Sequence, residues 1–214
     1  MKTAVIFDLD GTMWDSSELV AEAYSKGLEK MGYSLRLSVK DIQNAMGKTM
    51  TEIAHMYFDA LDPEHAVDIM VKCIEEEMEF LKTSGGVVYD GLEDTLKELK
   101  ARGHVLACVS NCQCGYIEDF YRLTGLGHYF NDMECWGNTD LPKSENIKLV
   151  VERNSVDKAV YVGDTMGDYN SAMGAGTLFV HAAYGYGEVP EGTPAISSIK
   201  ELPALADSLL ISDS

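Results

Sequence analysis

The chain has 214 residues, 46% of them hydrophobic, and a formal net charge of −18. This length can bury a substantial core, either as one domain with an insertion or as two small domains. The lysines and arginines are scattered without a basic block, which argues against a nucleic-acid partner. No apolar run approaches the roughly 20 residues of a membrane helix, so no membrane partner is expected.

Cysteine usage and the amino-terminal residues predict the compartment. Five cysteines are an odd number in a chain that is not short, which fits a reducing cytoplasm better than a disulfide framework. Cys112 and Cys114 lack the two-residue gap of a usual zinc half-site, and no histidine pair completes them. Asp8 interrupts the first apolar run after four residues, whereas a signal peptide needs a longer one. We therefore expect a cytoplasmic protein, either a monomer or a homodimer.

The first predicted element is a short buried strand from Ala4 to Phe7, which runs directly into Asp8 and Asp10. The next stretch, from Asp15 to about residue 83, has apolar residues at helical spacing instead. A first helix follows N-cap candidates at Asp15 to Glu18, and further helices are predicted over 38–46, 49–60 and 63–82. In the last of these helices, the glutamates are expected to point largely towards solvent: Glu75, Glu76, Glu77 and Glu79.

After Gly85 and Gly86, strands alternate with helices. Short aliphatic runs predict strands over Val105 to Val109, Ala159 to Val162 and Leu178 to Val180. Amphipathic helices are predicted over Gly91 to Arg102 and Ser144 to Arg153. Because the strands lack polar alternation, they are typical of a parallel sheet covered on both faces. We therefore predict a three-layer α/β core over residues 1–14 and 86–214, with an inserted all-helical cap over 15–85.

Polar side chains follow these strands where each strand ends, and one lysine opens the helix before a strand. They are Asp8, Asp10, Ser110, Asn111, Lys143, Asp164 and Asp168. The carboxyl ends of parallel strands meet at one edge of the sheet, where ligands bind in open α/β folds. We therefore expect these side chains to form one site.

Phosphoryl transfer to an aspartate suits this set of residues. Carboxylates at one edge repel each other unless a cation neutralises them, and Mg²⁺ takes carboxylate, carbonyl and phosphate oxygens as ligands. A carboxylate can attack phosphorus and form an acyl phosphate that water then cleaves. A second aspartate, two residues further on, can protonate the leaving oxygen and later deprotonate the water. A lysine and a hydroxyl would hold the transferred phosphoryl group.

The chain resembles the haloacid dehalogenase superfamily of phosphatases, in the branch with a helical cap after the first motif. The matching segments, in chain order, are DLDGT (8–12), Ser110-Asn111, Lys143, GDTMGD (163–168) and GAGTLFVHAAYGYG (174–187). Within that superfamily it is most similar to phosphoglycolate phosphatases. One departure concerns Lys143, because a proline often follows the motif lysine, whereas here Pro142 precedes it and Ser144 follows.

The resemblance implies a Rossmann-like core and a role for each motif residue. Asp8 would be the nucleophile and Asp10 the general acid and base. The magnesium ligands would be Asp8, the backbone carbonyl of Asp10, and Asp164, with Asp168 acting directly or through water. The phosphate-binding residues would be Thr12, Ser110, Asn111 and Lys143.

The predicted activity is a Mg²⁺-dependent phosphatase acting on a small phosphorylated metabolite, either phosphoglycolate-like or a sugar phosphate. Lys48, after Gly47 at a helix break, would read the substrate, although a solvated lysine is an equally good interpretation. A calcium loop starting at Asp8 fails because Met13 and Leu19 stand where glycine and glutamate are needed. Two alternatives stay open: a phosphomutase of the β-phosphoglucomutase type, and a non-catalytic binding or regulatory protein on the same scaffold.

Overall fold

A six-stranded parallel sheet forms the centre of the computed structural model, which describes residues 1–211. The strands of the described chain are β1 (Thr3–Phe7), β2 (Trp14–Asp15), β3 (Val87–Val88), β4 (Val105–Ser110), β5 (Asp132–Cys135), β6 (Lys158–Gly163), β7 (Leu178–Ala182) and β8 (Ala195–Ile196). The sheet order is β5-β4-β1-β6-β7-β8. The chain therefore starts in the middle of the sheet, and the ends of β1, β4 and β6 lie side by side.

The helices flank this sheet or lie between β2 and β3. They are α1 (Ser17–Lys30), α2 (Val39–Ala45), α3 (Met50–Phe58), α4 (Ala66–Leu81), α5 (Leu92–Ala101), α6 (Tyr116–Thr124), α7 (Trp136–Thr139), α8 (Lys143–Arg153), α9 (Met166–Ala175) and α10 (Leu202–Ile211). Short 3₁₀ turns cover Leu126–Tyr129 and Ile199–Glu201.

Both faces of the sheet are covered, as the apolar strands predict. On one face, Ala4 and Ile6 of β1 share a hydrophobic cluster with Ile147 of α8 and Ala172 of α9. On the other face, the cluster includes Val5 and Phe7 of β1 together with residues of α5, α6 and α10. All five residues of β1 are buried because this strand has neighbours on both sides and helices above and below. The predicted three-layer α/β fold class is confirmed.

Four helices, α1 to α4, form a helical insertion between β2 and β3. The two strands pair antiparallel, with Trp14 opposite Val88 and Asp15 opposite Val87, so the chain leaves and re-enters the core at one place. Helices α2 and α3 each begin with a capping box, built on Ser38 and on Thr49, which satisfies backbone amides at their first turns. The predicted domain boundaries at residues 14 and 85 stay a prediction.

Two sequence-based expectations need correction. The four predicted strands are present, but the sheet also contains β5 and β8, which the sequence did not single out because they are short edge strands with weak apolar patterns. The expectation that Glu77 points towards solvent is wrong, since it is 3% exposed. Its carboxylate is buried because Tyr24 and Gln113 hydrogen-bond to it.

Within residues 1–211, no helix combines the length and apolar character needed to cross a membrane.

Truncation of a core leucine tests the packing of the sheet against α5. Leu96 is fully buried in the main hydrophobic cluster, whereas the neighbouring Lys97 is exposed. We expect Leu96→Ala to lower the free energy of unfolding by about 2–5 kcal/mol, because it leaves a cavity. Lys97→Ala, the matched control on the same helix, should change it by less than about 0.5 kcal/mol. Urea denaturation measures both variants, and equal losses would contradict the packing described.

Candidate active site

The turn after β1 brings the first aspartates to the edge of the sheet. The backbone amide of Asp8 donates to the carbonyl of Val162 at 2.8 Å, which ties the end of β1 to β6. Gly11 then adopts a φ of +80°, and a Cβ there would lie 2.3 Å from Oδ2 of Asp164 and 2.7 Å from the ring of Tyr186. Glycine at this position therefore permits both the backbone conformation and the close approach of Asp164.

Three buried carboxylates meet at this edge. One oxygen from each of Asp8, Asp164 and Asp168 lies within 4.8 Å of the others, and none of the three residues is more than 2% exposed. The Nζ of Lys143, at the start of α8, donates to Asp8 Oδ1 at 3.0 Å and to Asp168 Oδ1 at 2.7 Å. One buried ammonium therefore forms ion pairs with two of the three buried carboxylates.

The charges in this cluster shift each other's pKa values. Burial and the negative charge of Asp168 raise the pKa of Asp8 to about 7, against the opposing effect of Lys143. Burial also raises the pKa of Asp164 well above its ordinary value, and the other two carboxylates add to this effect. For Asp168, burial raises the pKa, but Lys143 and Thr165 outweigh burial and the pKa is lowered. The protein alone therefore does not neutralise Asp8 and Asp164.

Hydrogen bonds fix the two aspartates that follow β6. Oδ2 of Asp168 accepts from the backbone amide of Thr165 at 2.9 Å and from its hydroxyl at 2.7 Å, which forms the capping box of α9. Because its Oδ1 accepts from Lys143, both oxygens of Asp168 are engaged. Asp164 accepts from the backbone amide of Tyr186 at 2.8 Å and from the hydroxyl of Thr12 at 3.5 Å.

Asp10 is held separately from the cluster. Its Oδ1 accepts from the indole of Trp14 at 2.9 Å, from the hydroxyl of Tyr116 at 2.9 Å, and from the hydroxyl of Ser16. None of these three bonds uses Oδ2. Burial raises the pKa of Asp10 above its ordinary value, and the three donors only partly offset this effect. A carboxyl group with a raised pKa can carry a proton and release it, as a general acid and base must.

An open pocket lies between the helical insertion and the ends of β1 and β4. Asp8, Asp10 and Ser110 line it from the core, and Lys48 lines it from the link between α2 and α3. Its other lining residues are Val20, Tyr24, Ile42, Ala45, Met46, Gly47, Met50, Ile53, Met70, Ile74, Glu77, Asn111, Cys112, Gln113 and Tyr116.

Asn111 joins the core to the insertion across this pocket. Its Nδ2 donates to the carbonyl of Gly47 at 2.9 Å. Its Oδ1 is buried and has no hydrogen-bond partner within residues 1–211. A buried acceptor without a partner is costly, so this oxygen is available to a donor group that enters the pocket.

The structure brings the predicted site residues of the core to one edge of the sheet and places Lys48, in the insertion, at the rim of the pocket above that edge. Asp8, Lys143, Asp164 and Asp168 are in mutual contact or share a partner, and Thr12 hydrogen-bonds to Asp164. The remaining predicted residues line the pocket, namely Asp10, Lys48, Ser110 and Asn111. Lys48 is exposed at its rim. The roles assigned to these residues stay predictions.

The sequence interpretation missed Glu77, which lines the pocket. Burial and the charge of Asp10 raise its pKa to about 8, against hydrogen bonds from Gln113 and Tyr24. The spacing contained a signal, because Glu77 lies four residues after Cys73 and seven after Met70, on the apolar face of α4.

The acidic cluster fits a hard divalent cation such as Mg²⁺. Its donors are carboxylate oxygens, which Mg²⁺ prefers, and three of them converge within 4.8 Å. The raised pKa values of Asp8 and Asp164 have the same cause, since two carboxylates lack sufficient positive charge nearby. A bound cation would supply that charge.

The model of the haloacid dehalogenase-like hydrolase family matches residues 5–182. The chain belongs to this family. A plasmid-encoded phosphoglycolate phosphatase of Cupriavidus necator is 28% identical over 214 residues, covering 95% of this chain and 92% of that protein. The pyrophosphatase PpaX of Bacillus velezensis is 28% identical, covering 85% of this chain and 83% of that protein.

Solved structures agree on the fold. A predicted phosphoglycolate phosphatase from Haemophilus somnus superposes with a TM-score of 0.81 at 20% identity, covering 96% of this chain and 98% of that one. The predicted resemblance to this family and the predicted enzyme class, a phosphatase of the family, are confirmed.

Glycine-to-alanine substitutions separate backbone strain from crowding of the site. Gly11 and Gly32 both have a positive φ, but a Cβ on Gly32 would meet no atom within 4 Å. We expect Gly32→Ala to lose about 1–2 kcal/mol of stability through backbone strain, and Gly11→Ala to lose more, because its Cβ also clashes with Asp164 and Tyr186. Only Gly11→Ala should also lose aryl phosphate hydrolysis, by about tenfold or more, because its Cβ displaces Asp164. Full activity of folded Gly11→Ala would contradict the close approach described.

The buried carboxyl of Glu77 makes stability depend on pH. Its pKa rises from an ordinary 4.5 to about 8 on folding, so the native state retains a proton that the unfolded chain releases over that interval. Raising the pH through this interval therefore costs stability. Glu77→Gln stays neutral, so its melting temperature should rise relative to that of the wild type as the pH increases from 5 to 8. The exposed Glu75→Gln is the matched control, and a parallel pH dependence of all three proteins would contradict the burial of an ionisable Glu77.

Proposed function

We propose that this protein is a Mg²⁺-dependent phosphatase that hydrolyses a small phosphomonoester through a phospho-aspartate intermediate on Asp8. The observation that supports it most is the buried cluster of three carboxylates around Lys143, at the foot of a pocket that Asp8 and Asp10 also line. An anionic cluster of this kind is costly unless a cation neutralises it, and the cation in turn allows an anionic phosphate to approach.

Asp8 would carry the phosphoryl group. Its Oδ1 accepts from Lys143, which leaves Oδ2 to attack phosphorus while the bond to the leaving oxygen breaks. Asp10 would donate its proton to that oxygen. Asp10 would then take a proton from water as the water attacks the phosphorus of the acyl phosphate, which releases phosphate and restores Asp8.

The magnesium ion would be held by Asp8, Asp164 and the backbone carbonyl of Asp10, and when bound it supplies charge neutralisation and Lewis-acid polarisation of the phosphoryl oxygens. The full engagement of both Asp168 oxygens supports an indirect role for this residue, through water and through its hold on Lys143.

The phosphate would be bound by side chains at the carboxyl end of β4 and at the start of α8. Ser110 and Asn111 line the pocket next to Asp8, and Lys143 contacts Asp8 directly. Each of these residues can donate to a phosphoryl oxygen. The hydroxyl of Thr12 faces Asp164, which supports a positioning role for Thr12 rather than direct phosphate binding.

The substrate would be a small phosphorylated metabolite, with no nucleic acid or membrane as partner. The named relatives include phosphoglycolate phosphatases and a pyrophosphatase, so closely related chains act on different phosphorylated compounds. The residues of the helical insertion around the pocket, including Lys48 at its rim, would select among such substrates.

Substitution of the nucleophile tests the mechanism. We expect Asp8→Asn to reduce Mg²⁺-dependent hydrolysis of an aryl phosphate to background, because an amide oxygen is too weak a nucleophile to displace the leaving group. The matched control is Asp94→Asn on the exposed face of α5, which should keep wild-type activity. EDTA should abolish the activity of the wild type. Added Mg²⁺ should restore this activity and raise the melting temperature of the protein.

Hydrolysis that survives in purified, folded Asp8→Asn would overturn the phospho-aspartate mechanism. Activity in EDTA would overturn the metal requirement. Isomerisation of a hexose phosphate with a bisphosphate primer, in place of phosphate release, would assign the protein as a phosphomutase.

A further inference from the structure

A buried carboxylate in the wall of the pocket takes no part in the proposed mechanism. Glu77 of α4 is 3% exposed, and its Oε2 accepts from Gln113 Nε2 at 3.0 Å and from the hydroxyl of Tyr24 at 3.3 Å. Both of these partners are neutral groups. A buried carboxylate held only by neutral donors lacks the opposite charge that would offset its desolvation.

The pocket offers Glu77 no buried cation. Among the lining residues of the described chain, the one cationic side chain is Lys48, which is exposed at the rim. Lys143, proposed to bind the phosphoryl group, contacts Asp8 and Asp168 and not Glu77. A positive charge that pairs with the carboxylate of Glu77 can therefore come from a molecule that enters the pocket.

The unused hydrogen-bonding atoms in this part of the pocket are all acceptors. The hydroxyls of Tyr24 and Tyr116 and the amide of Gln113 already donate to Glu77 or Asp10. The open positions are acceptors: Oε1 of Glu77 once its carboxyl is ionised, which these bonds do not use, and the buried Oδ1 of Asn111, which has no partner in residues 1–211. A ligand that complements them brings hydrogen-bond donors.

The remaining wall from the insertion is hydrocarbon. Its members come from α1 to α4 and are Val20, Ile42, Met50, Ile53, Met70 and Ile74. Such a wall accommodates an apolar carbon chain between the phosphoryl site and Glu77.

We infer that Glu77 is a specificity-determining residue for a phosphomonoester whose leaving group is a short carbon chain ending in a protonated amine. The inference rests on the proposed phosphatase function and names its substrate class. When the ammonium enters, Glu77 releases its proton and the ammonium donates to the resulting carboxylate, so each buried charge has an opposite partner. A leaving group that ends in a carboxylate, such as glycolate, brings a negative charge into a wall that holds Asp10 and Glu77 and no buried cation, and is disfavoured.

Matched esters that differ only at the end of the leaving group test this inference on the wild-type protein. The esters carry an ammonium, a hydroxyl or a carboxylate on a two-carbon skeleton, namely phosphoethanolamine, 2-hydroxyethyl phosphate and phosphoglycolate. The corresponding three-carbon esters test whether a longer chain is needed for the end group to contact Glu77. We expect kcat/KM with Mg²⁺ to be at least about tenfold higher for the ammonium ester than for the other two at one or both chain lengths. A higher value for the carboxylate or hydroxyl ester at both lengths would overturn the inference.

A pair of variants on α4 assigns the preference to Glu77. Glu77→Gln removes the charge with little change of shape, and Glu75→Gln makes the same change at an exposed position two residues away. We expect the ratio of kcat/KM for the ammonium ester to that for the hydroxyl ester to fall about tenfold or more in Glu77→Gln, mainly through KM. The ratio should be unchanged in Glu75→Gln. An unchanged ratio in folded Glu77→Gln would mean that Glu77 only anchors Tyr24 and Gln113, and would overturn the assignment.

Hydrolysis of an aryl phosphate by the wild type separates the two proposals. If the aryl phosphate is hydrolysed and the ammonium ester has no advantage, the substrate inference fails while the phosphatase proposal stands. If the aryl phosphate is not hydrolysed with Mg²⁺, the phosphatase proposal fails and the inference fails with it. If Glu77→Gln does not fold, the wild-type ester series still decides the inference.

Discussion

The structure depends on one electrostatic constraint, which is the burial of three carboxylates around a single ammonium. Lys143 contacts Asp8 and Asp168, while Asp164 accepts hydrogen bonds from the amide of Tyr186 and the hydroxyl of Thr12 and lies beside two like-charged neighbours. The pKa values follow this imbalance, since that of Asp168 is lowered and those of Asp8 and Asp164 are raised. A hard cation at this edge would resolve the imbalance, which is why the arrangement fits a metal-assisted hydrolase better than a structural ion-pair network.

The fold meets this constraint through close backbone packing. The turn after β1 and the loop after β7 both press against Asp164, at Gly11 and at Gly185, where a Cβ would lie 2.3 Å from atoms of that side chain. From the other direction, the start of α8 delivers Lys143 and the first turn of α9 fixes Asp168 by a capping box. Because four separate segments position one cluster, the carboxylates cannot move apart to relieve their repulsion.

The sequence predicted most of this arrangement because its strongest signals are local. An apolar run that stops at an aspartate identifies both a buried strand and the polar edge of a parallel sheet, as at Asp8 and after β6. Edge strands such as β5 and β8 lack that signal, because fewer neighbours cover them and their apolar patterns are weak. Glu77 was misinterpreted for a different reason. A run of glutamates is typical of a solvated helix face, and only the tertiary contacts of Tyr24 and Gln113 show that one of them is buried.

The core and the insertion would have different roles, the core in the reaction and the insertion in the selection of the leaving group, because each holds its own buried carboxylates. The core residues that contact Lys143 would carry out phosphoryl transfer, a reaction common to many phosphate esters. This reaction does not depend on the structure of the leaving group. The insertion contributes one further buried carboxylate, Glu77, close enough to Asp10 for each charge to affect the other. Without a positive partner Glu77 keeps its proton, because burial raises its pKa to about 8. A leaving group with a positive end would pair with the ionised carboxylate as it fills the pocket, whereas any other leaving group forms no charge pair there. Selection in this pocket therefore works through a charge pair that only one class of leaving group can form, and this pair strengthens as the substrate excludes water.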